Sequence, residues 1–185
     1  DFTNELARNQ EKNGRESFEE LEHSIELLNV CFSYGQSSAI LKNISLKIFK
    51  KETIALVGES GSGKTTLLNI LTGLLSATSG KVLIDGKEAS KINLKQYQNK
   101  IGYITQEPVI FNDTVFNNVT FWDTPSPENL ARFNKVLKMA SIHEFVEALP
   151  EKGNAPLGNN GIMVSGGQKQ RISIARELYK DVEFL

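Results

Sequence analysis

The chain has 185 residues, enough for one domain with a hydrophobic core of its own. Hydrophobic residues make up 39% and charged residues 23%, as in a globular chain, and 21 Lys+Arg against 22 Asp+Glu leave a formal net charge of -1. That balance argues against a nucleic-acid partner, which selects a basic excess, and leaves only a local basic patch as a route to one.

Residues 1–22 are polar and charge-rich and read as a linker or a solvated helix, with a partner-binding helix as the alternative. Asp1 to Glu5 have neither the basic start nor the apolar core of a signal peptide. The organised domain is expected from about residue 23. Ile25 to Phe32 and Ile40 to Ile48 alternate partially, as half-exposed antiparallel strands do. The single cysteine, Cys31, excludes an internal disulfide and, within Val30-Cys31-Phe32, reads as a small buried hydrophobe. Thr53 to Val57 is continuously apolar and runs into Gly58, which predicts a central parallel strand buried on both faces. Lys64 to Leu75 carries apolar residues at 67, 68, 70, 71, 74 and 75, a helical spacing.

Lys81 to Gly86 reads as a strand closed by an Asp-Gly turn, and Ile101 to Gln106 as another strand. Residues 127–149 are expected to be helical, with Pro127 early and Leu130, Phe133, Val136, Leu137 and Ala140 as the apolar set. A Gly/Asn-rich loop at 151–163 precedes a helix from Ser165 to Tyr179, and Val182 to Leu185 open one more strand. No segment reaches the roughly 20 apolar residues of a membrane span.

Gly58-Glu59-Ser60-Gly61-Ser62-Gly63-Lys64-Thr65 matches the phosphate-binding pattern G-x-x-x-x-G-K-[ST] in full, between the strand and the helix that the pattern requires. Glycines there let the backbone take positive φ and turn N–H groups inward around phosphate oxygens. The following helix adds the positive end of its dipole. Lys64 reaches the β- and γ-phosphates, and the Thr65 hydroxyl is placed to ligate Mg²⁺. An accidental glycine-rich turn would not combine the pattern with that strand–loop–helix setting. Residues 58–65, with Thr66 after them, are therefore the candidate nucleotide site.

Val164-Ser165-Gly166-Gly167-Gln168-Lys169-Gln170-Arg171, followed by Ile172-Ser173-Ile174-Ala175-Arg176, resembles the signature sequence of the ATP-binding cassette (ABC) proteins. Ser165, Gly166 and Gly167 at a helix start offer a hydroxyl and backbone N–H groups to an anion, and a plain N-cap is the alternative for these residues alone. The resemblance runs from about Ile25 to the end of the chain. It implies an α/β fold: a P-loop NTPase core with a mixed or parallel sheet, an N-terminal antiparallel β subdomain, and a helical signature subdomain at about 110–175. It also implies that Ser165, Gly166, Gly167 and Gln168 meet the γ-phosphate of ATP held by a second copy of the domain. Tyr34 would stack on adenine, although alone it reads equally as a strand-end tyrosine. Gln106 stands in the place of the family's Q-loop glutamine, which touches Mg²⁺ and the attacking water and links the site to the membrane domain. By itself it reads as a surface glutamine.

Ser79 to Gly86, Gln106 to Thr114 and the glycine-flanked loop Ala155 to Gly161 are similar to the exporter branch. Exporters usually place a glutamate before the valine of that loop and a Glu-Arg pair between its glycines. Pro156, Asn159 and Asn160 stand there instead, which puts the standard ionic contact to the transmembrane partner in doubt. On this resemblance residues 1–22 are the linker from a preceding membrane domain and 23–185 the nucleotide-binding domain. The implied partners are a transmembrane domain, of the same or another polypeptide, and a second nucleotide-binding domain, identical or not. The implied place is the cytoplasmic face of a membrane, where ATP-induced dimerisation drives transport.

The family next expects an apolar strand followed by Asp and Glu, and later a histidine. Tyr179 to Leu185 runs only into that strand, Glu183 lies too early, and His23 and His143 are in the wrong regions. The catalytic residues implied within the chain are Lys64 and Gln106, so it is expected to bind nucleotide without efficient turnover. Three rivals fit less well. A DNA-maintenance ATPase inserts a long segment between loop and signature, whereas Thr65 and Ser165 are only about a hundred residues apart. A non-transport cassette protein usually carries two cassettes, and a small-molecule kinase leaves residues 164–171 unexplained.

Overall fold

A computed structural model describes residues 14–35 and 37–184. The chain forms two compact units, Asp1–Asn99 and Lys100–Leu185. In the first, strands β1 (Ser24–Phe32), β2 (Leu41–Phe49), β3 (Ser79–Ile84) and β4 (Lys87–Glu88) make an antiparallel sheet in the order β2-β1-β3-β4. Ile25 and Leu27 of β1 are buried, and so are Val30 and Phe32. One extra residue separates the two pairs. The register shifts between Leu27 and Val30, where Asn29 takes a φ of 50°, so a bulge returns Val30 and Phe32 to the buried face. That is why the alternation in the sequence is only partial. Cys31 differs from expectation. It is half-buried, and its sulfur accepts the Asn43 N–H at 3.2 Å, with that bond the main cause of a lowered thiol pKa.

The predicted Asp-Gly turn joins β3 to β4 through Asp85 and Gly86, both at positive φ (50° and 77°), with Ile84 paired to Lys87. The Asp85 carboxylate also accepts the N–H groups of Glu22, His23 and Ser24 at 2.8, 2.7 and 2.9 Å, fastening the start of β1 to the turn. Burial raises its pKa, but the three N–H donors outweigh burial and hold the carboxyl below its ordinary value.

Helices α1 (Lys64–Leu71) and α2 (Leu94–Asn99) complete this unit. α1 stops four residues before the apolar spacing does. The Thr72 hydroxyl bonds back to Leu68 O at 2.9 Å, and Gly73 turns the chain at a φ of 72°. Of the expected linker, residues 1–13 lie outside the described residues, while in 14–22 exposed charged residues surround two packed apolar anchors. Phe18 and Leu21 are buried, Glu16 bridges Ile92 in parallel, and Phe18 meets Tyr97 of α2 edge-on at 5.2 Å. Two apolar residues three apart among charges gave no periodic signal.

The second unit contains helices α3 (Val115–Thr120), α4 (Pro127–Met139), α5 (His143–Glu147) and α6 (Gly166–Tyr179). Val115 and Val119 of α3, Phe133, Val136 and Leu137 of α4 and Ile172 and Ala175 of α6 share its core. The segment expected to be one helix at 127–149 is two, because Ser141 takes a φ of 54° between them. Three predicted strands form no ladder. Thr53 to Val57 pairs with nothing among the described residues, and Val57 is 94% exposed. Ile101 to Gln106 contributes only a parallel bridge from Ile101 to Phe184, which is also all that the strand expected from Val182 retains; Leu185 lies outside the described residues. A parallel strand takes its ladder bonds from its neighbours, and no strand of the described sheet lies beside these segments. Among the described residues no helix is long and apolar enough to cross a membrane.

Candidate nucleotide-binding site

Residues 58–63 form an open loop that ends in α1. Gly61 and Gly63 take φ of 83° and 90°, a region that side chains disfavour. A Cβ on Gly63 would fall 3.0 Å from Leu41 Cδ2 and 3.1 Å from Ile40 Cγ2, so a side chain there would also have to press those neighbours aside. A Cβ on Gly61 would meet nothing within 4 Å, so at that position the space lies open beside the backbone. Gly63, as N-cap of α1, has no side-chain cap, which leaves the first-turn N–H groups to serve as anion donors. Lys64 Nζ lies in the mouth of the loop, donating to Gly58 O at 2.8 Å, Glu59 O at 2.7 Å and Ser62 Oγ at 3.4 Å. Glu59, Ser60 and Ser62 are exposed, Thr65 is exposed on the first turn of α1, and Thr66 is buried beneath it.

Tyr34 reaches this loop through its neighbours. The residue is 49% exposed, and its ring stands edge-on to Phe32 at 4.8 Å. Phe32 O accepts the Ile40 N–H at 2.8 Å, and Ile40 packs against Gly63. A half-exposed aromatic face therefore stands on the strand end that abuts the loop.

The second unit holds the remaining predicted residues. Gln106 is exposed in a bend. Ser165 is the N-cap of α6, with its Oγ accepting the Gln168 N–H at 3.3 Å, while Gln168 Oε1 accepts the Ser165 N–H at 2.8 Å. This reciprocal capping box uses two donors of the helix start and leaves those of Gly166 and Gly167. A Cβ on either glycine would meet nothing within 4 Å, so their own chain does not require glycine there. The loop before them turns at Gly158 (φ 71°), Asn160 (φ 50°) and Gly161 (φ 63°), and Lys169 Nζ donates to Asn160 O at 2.7 Å. Tyr34 and residues 58–66 are thus gathered in the first unit, and Gln106 and 165–168 lie in the second.

Sequence reasoning missed the role of Asn118 and gave Arg176 none beyond fitting the family pattern. Arg176 Nε donates to Asn118 O at 2.7 Å and Nη1 to Val109 O at 2.8 Å. The available signal was a cation at core spacing, since Ile172, Ala175, Arg176 and Tyr179 share the buried face of α6. Among the described residues no group of three or more His, Cys, Asp or Glu is placed to hold a metal. Thr65 offers a hydroxyl oxygen in the first unit and Gln106 an amide oxygen in the second. A polyphosphate suits the glycine cradle, its free helix-start N–H groups and the lysine.

A family model described as ABC transporter matches residues 41–185. The chain is 37% identical over 174 residues to the heterocyst differentiation ATP-binding protein HepA of Nostoc sp., covering 94% of this chain and 28% of that protein. It is 41% identical over 158 residues to the ATP-dependent lipid A-core flippase of Cupriavidus pinatubonensis, covering 84% of this chain and 27% of that one. The structure of a bacterial Atm1-family ABC exporter with ATP bound matches 96% of this chain and 32% of its own, with a TM-score of 0.83 at 28% identity. The chain spans less than a third of the length of these relatives.

Proposed function

This chain belongs to the ABC transporter family, and from that premise we propose that it is the ATP-binding motor domain of an ABC exporter. In this reading it lies at the cytoplasmic face of a membrane, beside a transmembrane domain and a second nucleotide-binding domain. The observation that carries the proposal is the loop at 58–65, with positive φ at Gly61 and Gly63, the uncapped start of α1 and Lys64 Nζ at its mouth.

When bound, ATP supplies the phosphoryl group and Mg²⁺ the charge that offsets its transfer. Lys64 binds the phosphates by exchanging the carbonyls of Gly58 and Glu59 for anionic oxygens, which makes stronger, charge-assisted bonds. Thr65 offers its hydroxyl to Mg²⁺, Gln106 its amide to the metal and water, and Tyr34 its exposed ring to adenine. Ser165 and the N–H groups of Gly166 and Gly167 receive the γ-phosphate held by the second domain, while Gln168 keeps Ser165 in place. Residues 1–22 lead in from the membrane domain, and about 110–175 form the signature subdomain.

Titration with ATP and Mg²⁺ tests the first half. Lys64→Ala should weaken binding at least about tenfold, the loss of a charged hydrogen bond worth ~1.5–3 kcal/mol. Equal affinity in that variant would refute the loop assignment. Ser165→Arg tests the second half. It should spare nucleotide binding and abolish ATP-induced association, read by light scattering, because a large side chain then fills the open approach to Gly166.

A further inference from the structure

Arg176 is only 6% exposed, and the nucleotide chemistry above makes no use of it. Its donors go to oxygens of the chain: Nε to Asn118 O at 2.7 Å, Nη1 to Val109 O at 2.8 Å and Nη2 to Asn118 Oδ1 at 3.1 Å. The rings of Phe111 and Phe121 each lie 5.3 Å from the guanidinium, adding cation–π attraction. Asn118 is fully buried and extends the clamp. Its Oδ1 accepts the Phe111 N–H at 2.8 Å, and its Nδ2 donates to Phe111 O and Thr114 O, each at 3.0 Å.

One guanidinium and one amide thus hold residues 109–118 against α6. A buried cation is poor value for stability alone, since an apolar side chain of similar volume often does as well or better. A fork of fixed donors contributes geometry. The clamped segment starts three residues after Gln106, and the clamping side chain stands on the helix that Ser165 begins.

We propose that Arg176 is a positioning residue of the nucleotide site, which locks the segment following Gln106 to the signature helix so that the two move as one body. The inference rests on the reading of Gln106 and Ser165 to Gln168 given above.

Spin labels at Glu107→Cys and Gln170→Cys, both exposed positions, in a Cys31→Ser background measure the coupling as a distance distribution. A single narrow distance is expected with Arg176 present. Arg176→Met should lose that narrow peak, and Arg176→Lys should fail to restore it, because a compact ammonium cannot span acceptors set around three separate nitrogens of a planar fork. Amide protection at Phe133 and Val136 of α4 reports whether each variant is folded, and Arg176→Lys carries the test if Arg176→Met does not fold. A narrow distance in either folded variant would overturn the proposal, since a purely space-filling role leaves the distance unchanged. The same samples, titrated with ATP, should need about tenfold more nucleotide for half-maximal association. If the unsubstituted chain does not associate with ATP, the two-domain reading falls, and the distance measurement still decides the role of Arg176.

Discussion

Gly80 and Asp85 lie five residues apart on one hairpin, and each answers a demand made by distant backbone. Gly80 takes a φ of 86°, and a Cβ there would fall 2.4 Å from Asn29 O, at the bulge of β1. Gly80→Ala should therefore cost at least about 2 kcal/mol in urea unfolding, from strain and backbone clash together. Asp85 was legible as a turn residue, but its three N–H partners 61 to 63 positions away were not. Asp85→Asn keeps a residue that tolerates positive φ and loses the charge, so it should cost ~1 kcal/mol at neutral pH. The sign with pH follows from the carboxyl being held low in the folded chain. The contribution is full above the unfolded carboxyl value of about 3.9 and fades as pH falls through the lower folded value. The stability gap between the two proteins should close below about pH 4, measured by unfolding across that range.

Helix starts were readable because a cap lies next to what it caps. Ser126 Oγ accepts the Asn129 N–H at 3.1 Å ahead of Pro127, and Ser165 forms its capping box with Gln168 across three residues. Ser126→Ala should lower stability by ~1 kcal/mol in thermal or urea unfolding. At α6, Gln168→Glu replaces the amide oxygen with a carboxylate oxygen that still accepts the Ser165 N–H, so it should leave the helix start intact, as amide exchange at Ser165 would show. Helix ends were less legible. α1 stops at Leu71 although apolar residues continue, and the break at Ser141 divides α4 from α5 within one apolar pattern. The six-residue α2 and α3 are too short for periodicity to reveal, and packing holds them: Tyr97 of α2 donates to Leu71 O at 2.6 Å, and α3 lies in the core of the second unit.

Each unit is stabilised by its own core, and in the second that core surrounds α6. Ile172 is fully buried there, so Ile172→Ala should cost ~2–5 kcal/mol, seen as lost amide protection in α3, α4 and α6. The loop at 58–65, the capped helix start at 165–168, the Asp-Gly turn and the antiparallel strand pair were all legible from residue order, since each depends on residues a few positions apart. Backbone sterics, caps and turn chemistry act locally, and phosphate binding at a glycine loop uses the same local geometry. Packing between distant segments settles what those local rules leave open: Thr53 to Val57 has no ladder among the described residues, Phe18 packs on Tyr97 of α2, and Arg176 clamps the segment after Gln106. A strand's ladder, a buried ring's partner and a buried cation's acceptors lie tens of residues away, where spacing along the chain carries no trace of them.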